Sequence, residues 1–179
     1  MHSTFRAQRQ ASAFGYLKMI RVIGFGNTFH GDDGFGPAVA RALLSRSWPN
    51  EVAITEGGAP GLAALALFEN CSAVLVIDAL HDGGTPGEVG WVNVDEVTGL
   101  ASDKIHGGGL GEMLRAMPFG LTGKLPAVEV LLGRVGHVQP FFEGLSEAIG
   151  AAIPQAVALI EKRLETLMAK QAMELVSLE

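Results

Sequence analysis

Residues 73–77 read AVLVI, a run that is apolar without interruption and rich in β-branched side chains. A strand with one face in water alternates apolar and polar residues, so an unbroken run indicates a strand that is covered on both faces. Parallel sheets packed between two layers of helices contain strands of this kind. The run therefore indicates a sheet that is covered on both faces, and the rest of the chain has to show what covers it.

Other segments continue this alternation. Short apolar stretches predict further strands, and apolar residues spaced three and four positions apart predict helices. The predicted strands are 20–25, 51–55, 73–77, 88–94 and 127–132, the third ending at Asp78. One predicted helix begins at Pro37. Three others cover 62–70, 109–117 and 145–167. Pro154 marks either a kink in the last of these or its true start. This order predicts an α/β fold, a three-layer α/β/α sandwich with a mainly parallel, twisted sheet of about five strands.

The length of 179 residues suits one domain with its own apolar core. Residues 1–18 show no helical or strand periodicity of apolar residues. They are followed by Met19, which stands directly before the first predicted strand. We expect 1–18 to be a disordered or misassigned N-terminal extension. Residues 19–168 then form a single domain, followed by a C-terminal tail at 169–179.

Composition excludes several classes of protein. Thirteen Lys and Arg against nineteen Asp and Glu give a net charge of -6, and no basic cluster is present, which argues against nucleic-acid binding. The single cysteine, Cys71, excludes an internal disulfide and a thiolate metal cage. No apolar run reaches the roughly 18–20 residues of a membrane span, and the first residues lack the apolar centre of a secretory signal. We expect a cytoplasmic monomer without membrane insertion.

Three segments that follow predicted strands carry polar groups that a core does not need. In GFGNTFHGDDGFGP, Asp32 and Asp33 are adjacent, whereas one carboxylate suffices to cap a helix. Asp78 follows AVLVI, where a capping role and a site role are equally good interpretations. His106 lies in KIHGGGLGEMLRAM, and a lone histidine is more often a surface or packing residue than a ligand.

Taken together, Asp33, Asp78 and His106 offer two carboxylates and one imidazole. The carboxyl ends of parallel strands meet at one edge of a sheet, so these groups are expected to converge there. Such a donor set suits a borderline divalent metal with open positions, as in a metal-assisted hydrolase. Asn27 can orient a carbonyl or a ligand beside it. The rival histidine ligands are His30, His81 and His137.

The segment VIGFGNTFHGDDGFGPAVARAL resembles the N-terminal signature of the hydrogenase maturation endopeptidases: G-x-G-N, four residues, then Asp-Asp/Glu-Gly-x-Gly. The likeness continues in the family's order through TEGGAPG, VLVIDAL with PGEV downstream, KIHGGGLGEMLRAM and LSEAIGAAIPQAV. It covers about residues 19–164. Five motifs in the right order are far more specific than any one of them.

This resemblance implies a protease that removes a short C-terminal extension from the large subunit of a nickel–iron hydrogenase after nickel insertion. It implies that Asp33, Asp78 and His106 are the catalytic residues and bind nickel, which the substrate supplies and the free enzyme does not hold. Asn27 and Asp32 are placed beside the metal, and for Asp32 a turn or cap role is the preferred interpretation. The partner implied is the large-subunit precursor.

Besides the final fifteen residues, which have no counterpart in the family pattern, the chain departs from that pattern at two places. The family often has Gly-Ile-Gln-Pro after its last strand, whereas this chain has the longer segment GRVGHVQP, which carries His137. His106 is followed by Gly107 where Gln or Asn is common. Neither departure falls on the three expected ligands.

Alternatives remain open at this point. The attacking water can be activated by the metal or by a carboxylate acting as general base. A non-proteolytic chaperone that binds nickel or the precursor would use the same residues. A phosphorylase or nucleotide enzyme with Asp32 and Asp33 on Mg²⁺ is disfavoured, because the loops are short of phosphate-binding cations.

Overall fold

The computed structural model describes residues 19–100, 109–136 and 138–177. The strands in these ranges are β1 (Met19–Phe25), β2 (Val52–Gly58), β3 (Cys71–Leu80), β4 (Val89–Val92) and β5 (Ala127–Arg134). The α-helices there are α1 (Phe35–Leu44), α2 (Val94–Gly99), α3 (Gly109–Gly120) and α4 (Glu147–Val176). Short 3-10 helices occupy Asp32–Gly34 and Leu62–Phe68.

The five strands form one sheet in the order β2-β1-β3-β5-β4. All neighbouring pairs are parallel except β4 and β5, which are antiparallel. Helices cover both faces of this sheet. The predicted fold class, a three-layer sandwich on a mainly parallel sheet, is confirmed.

Alternation along β3 divides the core between the two helical layers. Leu75 and Ile77 belong to an apolar cluster with α1 and α4. Val74 and Val76 belong to a second cluster with α2, α3 and the 3-10 helix Leu62–Phe68. Burial on both faces is the reason why this strand contains no polar residue between Ala73 and Ile77.

The predicted end of the third strand was wrong, because β3 continues through Asp78 to Leu80. Leu80 pairs with Arg134 at the end of β5, so the neighbouring strand supplies hydrogen-bond partners beyond the polar side chain. Two further differences are local. Residues 62–68 form a 3-10 helix rather than an α-helix, and α2 was not predicted. The N–H of Asn93 donates to Glu96 at 3.3 Å, an arrangement whose Asn-x-x-Glu spacing was visible in the sequence.

The last helix is longer than its apolar stripe predicted. It begins at Glu147, so Pro154 lies inside it and is not its start. The helix runs to Val176, through most of the segment expected as a tail, and Gln171 donates a hydrogen bond to the hydroxyl of Ser72. The expected extension 1–18 lies outside the described residues. None of the helices in the described ranges combines the length and the apolarity that crossing a bilayer takes.

Candidate active site

The loop after β1 positions Asp33. The backbone N–H of Asn27 donates to Oδ2 of Asp33 at 2.7 Å, and the Asp33 side chain is buried. Gly26 has a φ of +135°, and a Cβ at this position would lie 2.0 Å from the backbone oxygen of Asp33. No other residue allows the chain to turn back so tightly, so the glycine sets where this carboxylate lies.

The first turn of α1 rests on the ends of β1 and β3. A Cβ on Gly36 would lie 2.1 Å from the carbonyl oxygen of Phe25 and 2.6 Å from that of Ile77. This approach of one backbone to another is open only to glycine. Because Ile77 directly precedes Asp78, the contact brings the segment that carries Asp33 next to Asp78.

Asp78 lies beside the C-terminal end of β1, although β3, the strand that contains it, continues to Leu80. Ile77 pairs with Gly24, and β1 ends one residue later at Phe25. The alternation of Val74 and Val76 puts the side chain of Asp78 on the sheet face that α3 covers. Two carboxylates predicted from sequence are thus brought together at one edge of the sheet.

The carboxyl group of Asp78 is 0% exposed. Its Oδ1 accepts a hydrogen bond from the N–H of Ala79 at 2.8 Å, whereas Oδ2 has no hydrogen-bond partner among the described residues. Burial raises the pKa of Asp78 well above its usual range, the Ala79 N–H opposes that rise, and the charge of Asp33 adds to it. An ionised carboxylate in this position needs a cation beside it, and without one it tends to hold a proton.

Asp32 has a different surrounding from its neighbour. Its Oδ1 accepts the backbone N–H of Ser146 at 2.7 Å and its Oδ2 accepts the Ser146 hydroxyl at 3.0 Å. These bonds tie the loop after β1 to the residue that precedes α4, which fits the preferred structural interpretation of Asp32. Sequence reasoning missed Ser146, although a serine directly before a helix is a common N-cap signal.

The expected histidine ligand lies outside the described residues, as does the rival His137. Residue 106 is three positions before Gly109, where α3 begins, and a Cβ on Gly109 would lie 2.1 Å from the carbonyl oxygen of Pro60. Since Pro60 closely follows β2, the start of α3 is at the same edge of the sheet as Asp78. Of the other rivals, His30 is half-buried and its backbone bridges to Phe142, while His81 is exposed just beyond β3.

Within 19–100, 109–136 and 138–177, no group of three His, Cys, Asp or Glu side chains is arranged to hold a metal. Asp33 and Asp78 are two of the three donors that the sequence predicts, and the third, at residue 106, lies outside the described residues. Asn27 uses its Oδ1 to accept the N–H of Phe29 at 3.0 Å, a bond that stabilises the turn. Its predicted role beside a metal stays a prediction.

Cys71 is the first residue of β3, at the opposite edge of the sheet from Asp78. Its Sγ lies 3.4 Å from the carbonyl oxygen of Glu69, and burial raises the pKa of the thiol. A buried thiol with a raised pKa is a poor nucleophile at neutral pH. The geometry therefore identifies Cys71 as a packing residue.

A mainly parallel sheet between helical layers defines an α/β protein. Its two buried carboxylates lie at the carboxyl edge of the sheet, where open sheets of this class bind ligands. The family model described as hydrogenase maturation protease matches residues 37–163, which include Asp78 and residue 106. The chain therefore belongs to the hydrogenase maturation protease family, as the motifs indicated.

Individual relatives agree with this assignment. The hydrogenase 2 maturation protease of Escherichia coli is 32% identical over 154 residues, covering 84% of this chain and 88% of that protein. The hydrogenase expression/formation protein HupD of Bradyrhizobium diazoefficiens is 34% identical over 118 residues, but the match spans only 60% of HupD. Among solved structures, the hydrogenase maturating endopeptidase HybD from E. coli superposes with a TM-score of 0.71 at 28% identity, over 83% of this chain and 93% of that one.

Proposed function

We propose that this chain is an endopeptidase that removes the C-terminal extension of a nickel–iron hydrogenase large subunit after nickel has been inserted. Membership in the family supports the protease activity and the class of substrate. In this proposal Asp33, Asp78 and His106 bind the nickel that the precursor carries, and Asn27 and Asp32 hold the loop beside it. The protein acts as a cytoplasmic monomer.

One observation carries the nickel part of the proposal. Asp33 and Asp78 are both buried, and they lie close enough for the charge of one to raise the pKa of the other. Two neighbouring buried carboxylates are costly to ionise together, and a divalent cation offsets both charges. A site with this property favours a partner that brings a cation over one that does not.

The chemistry of the donors supports nickel over a harder ion. Two carboxylates and an imidazole form a mixed oxygen and nitrogen set, which suits borderline first-row metals, whereas Mg²⁺ and Ca²⁺ are held mainly by oxygen. Two protein carboxylates and one histidine leave coordination positions for the ligands that the precursor already provides. Nickel is in this sense part of the substrate.

Peptide hydrolysis requires a water to attack the scissile carbonyl, a base to take its proton, and an acid to protonate the leaving amine. The reaction breaks the C–N bond and yields a new carboxylate and a free amine. The burial of Asp33 and Asp78 beside each other supports one of these carboxylates as the general base, and activation of the water by the nickel is the alternative. The remoteness of Cys71 leaves no role for a thiol intermediate.

The test is to incubate the purified protein with nickel-loaded and nickel-free forms of the precursor, and to follow the mass of the large subunit. We expect the mass to fall by that of the extension in the loaded form only. Equal cleavage of both forms would contradict nickel recognition. Binding of the loaded precursor without any change in mass would contradict proteolysis and favour a chaperone that binds nickel or the precursor.

A further inference from the structure

Three large aromatic side chains are exposed on the loops beside the candidate site. Phe29 is 58% exposed, Phe142 is 47% exposed and Phe141 is 97% exposed. Single apolar residues on a surface are ordinary, but a group of them at one place usually marks an interaction site. We call these three residues the phenylalanine surface.

Backbone hydrogen bonds hold the phenylalanine surface together. The N–H of Phe142 donates to the carbonyl oxygen of Phe29 at 3.0 Å, and the N–H of Gly31 donates to the carbonyl oxygen of Phe142 at 2.8 Å. The bonds between Ser146 and Asp32 fasten the same two loops a few residues further on. The aromatic side chains are therefore presented by a braced pair of loops.

Phe141 has a backbone conformation that does not suit its side chain. It follows Pro140 in a turn and has a φ of 59°, a value that turns normally assign to Gly or Asn. Its side chain is almost wholly in solvent, so packing within this chain does not offset the strain. A bulky residue kept at such a position points to a functional constraint on the side chain itself.

The phenylalanine surface borders the carboxylates. Phe29 is two residues after Asn27, whose N–H binds Asp33, and Gly31, which binds Phe142, directly precedes Asp32. A protein that places its peptide and its metal at Asp33 and Asp78 must bring its own surface against the phenylalanine surface. Because the phenylalanine surface is continuous with the loop that carries Asp33, the protein that would bind to it is the substrate protein.

We propose that Phe29, Phe141 and Phe142 dock the folded body of the precursor by contacting an apolar part of its surface. This inference rests on the proposed function and adds to it a determinant of substrate recognition. Aromatic residues are enriched in protein interfaces because they bury much apolar area with few rotatable bonds. The three residues affect binding of the precursor and leave the chemical step alone.

The decisive variant is Phe141→Gly, because glycine adopts a φ of 59° freely and the fold is preserved. We expect its KM for the nickel-loaded precursor to rise about tenfold with kcat unchanged, and its Tm to be no lower than that of the wild type. Phe29→Ala is expected to raise KM in the same direction.

The matched control is Phe119→Ala. Phe119 is 92% exposed, but it lies near the end of α3 that is remote from the site. We expect this variant to keep the KM of the wild type. Unchanged KM in both Phe141→Gly and Phe29→Ala, or an equal rise in Phe119→Ala, would overturn the proposal.

Binding separates this inference from the proposed function. Affinity of the precursor for wild type and Phe141→Gly is measured directly by calorimetry. If the wild type binds without cleaving and Phe141→Gly binds about tenfold more weakly, docking stands while proteolysis fails. Equal affinities, or no binding by the wild type, would overturn docking whatever the cleavage assay gives.

Discussion

Asp32 accepts two hydrogen bonds from Ser146, one from the backbone N–H at 2.7 Å and one from the hydroxyl at 3.0 Å. The two residues are 114 positions apart in the sequence, so this contact joins the loop after β1 to the start of α4. Asp33, the next residue, accepts the N–H of Asn27 instead and lies close enough to Asp78 for its charge to raise the pKa of that carboxyl group. Adjacent acids that look equivalent in the sequence thus have different surroundings: Asp32 fastens two loops, and Asp33 is the one that our proposal places at the metal.

Replacing Ser146 by alanine tests the fastening role. The variant Ser146→Ala loses the bond to Oδ2 of the buried Asp32, so we expect unfolding to become easier by about 1–2 kcal/mol. For a domain of this length that corresponds to a fall in Tm of roughly 2–8 °C, measured by circular dichroism. Ser45→Ala is the control, because its hydroxyl bonds the carbonyl oxygen of Ala42 at an exposed helix end. An equal Tm for the two variants would contradict the role of Asp32.

Single alanine substitutions test the three proposed ligands. We expect Asp33→Ala, Asp78→Ala and His106→Ala each to reduce processing of the nickel-loaded precursor by about a thousandfold or more, because removing a ligand disrupts recognition and chemistry together. Folding, followed by circular dichroism, should persist in all three. His81→Ala is the matched histidine control, being exposed three residues after Asp78, and should process normally. Full activity in any of the first three would remove that residue from the site.

The sequence predicted the parts of the fold that local patterns encode. AVLVI required burial on both faces, and β3 is buried on both faces. Gly26 and Gly36, which make the close backbone approaches around Asp33, both stand in the motif that carries this carboxylate. Asp78 was singled out by its polarity at the end of an apolar run, although that same polarity led to the wrong strand end.

What sequence reasoning missed depends on contacts between distant segments. Continuation of β3 past Asp78 is set by its pairing with β5, more than fifty residues later. The partner of Asp32 is far away in the chain, and no local pattern links the two. The phenylalanine surface forms only because the backbone of Phe142 pairs with the loop that carries Phe29. Such contacts follow from the fold and cannot be derived from spacing.

The stability of the free protein should depend on pH through Asp78. A folded-state pKa above the unfolded value means that this group contributes its full stability at pH values below the unfolded pKa of about 3.9, and loses it as pH rises through the elevated value. Asp78→Asn keeps an oxygen for the Ala79 N–H and carries no charge. In chelator-treated protein we therefore expect the variant to be more stable than the wild type at neutral to alkaline pH. The difference is about 1.4 kcal/mol for each tenfold increase in the proton affinity of the Asp78 carboxylate on folding.

Thermal unfolding of both proteins at a series of pH values measures this difference. It should shrink toward acidic pH, where the wild-type carboxyl group is protonated. Asp95→Asn, at an exposed position in the first turn of α2, is the control and should show no such divergence. A wild type that is the more stable of the two at high pH would contradict the electrostatic description of the site.

Removing metal from the enzyme should leave its activity intact. The described residues supply Asp33 and Asp78 but no third metal donor, and nickel in our proposal arrives with the precursor. We expect protein that has been treated with a chelator and then dialysed free of it to process nickel-loaded precursor at the untreated rate, as judged by the mass of the product. The control is the precursor treated in the same way, which should no longer be cleaved. Loss of activity in the treated enzyme, restored by adding nickel to the enzyme alone, would show that the metal is resident and would contradict recognition of a substrate-borne ion.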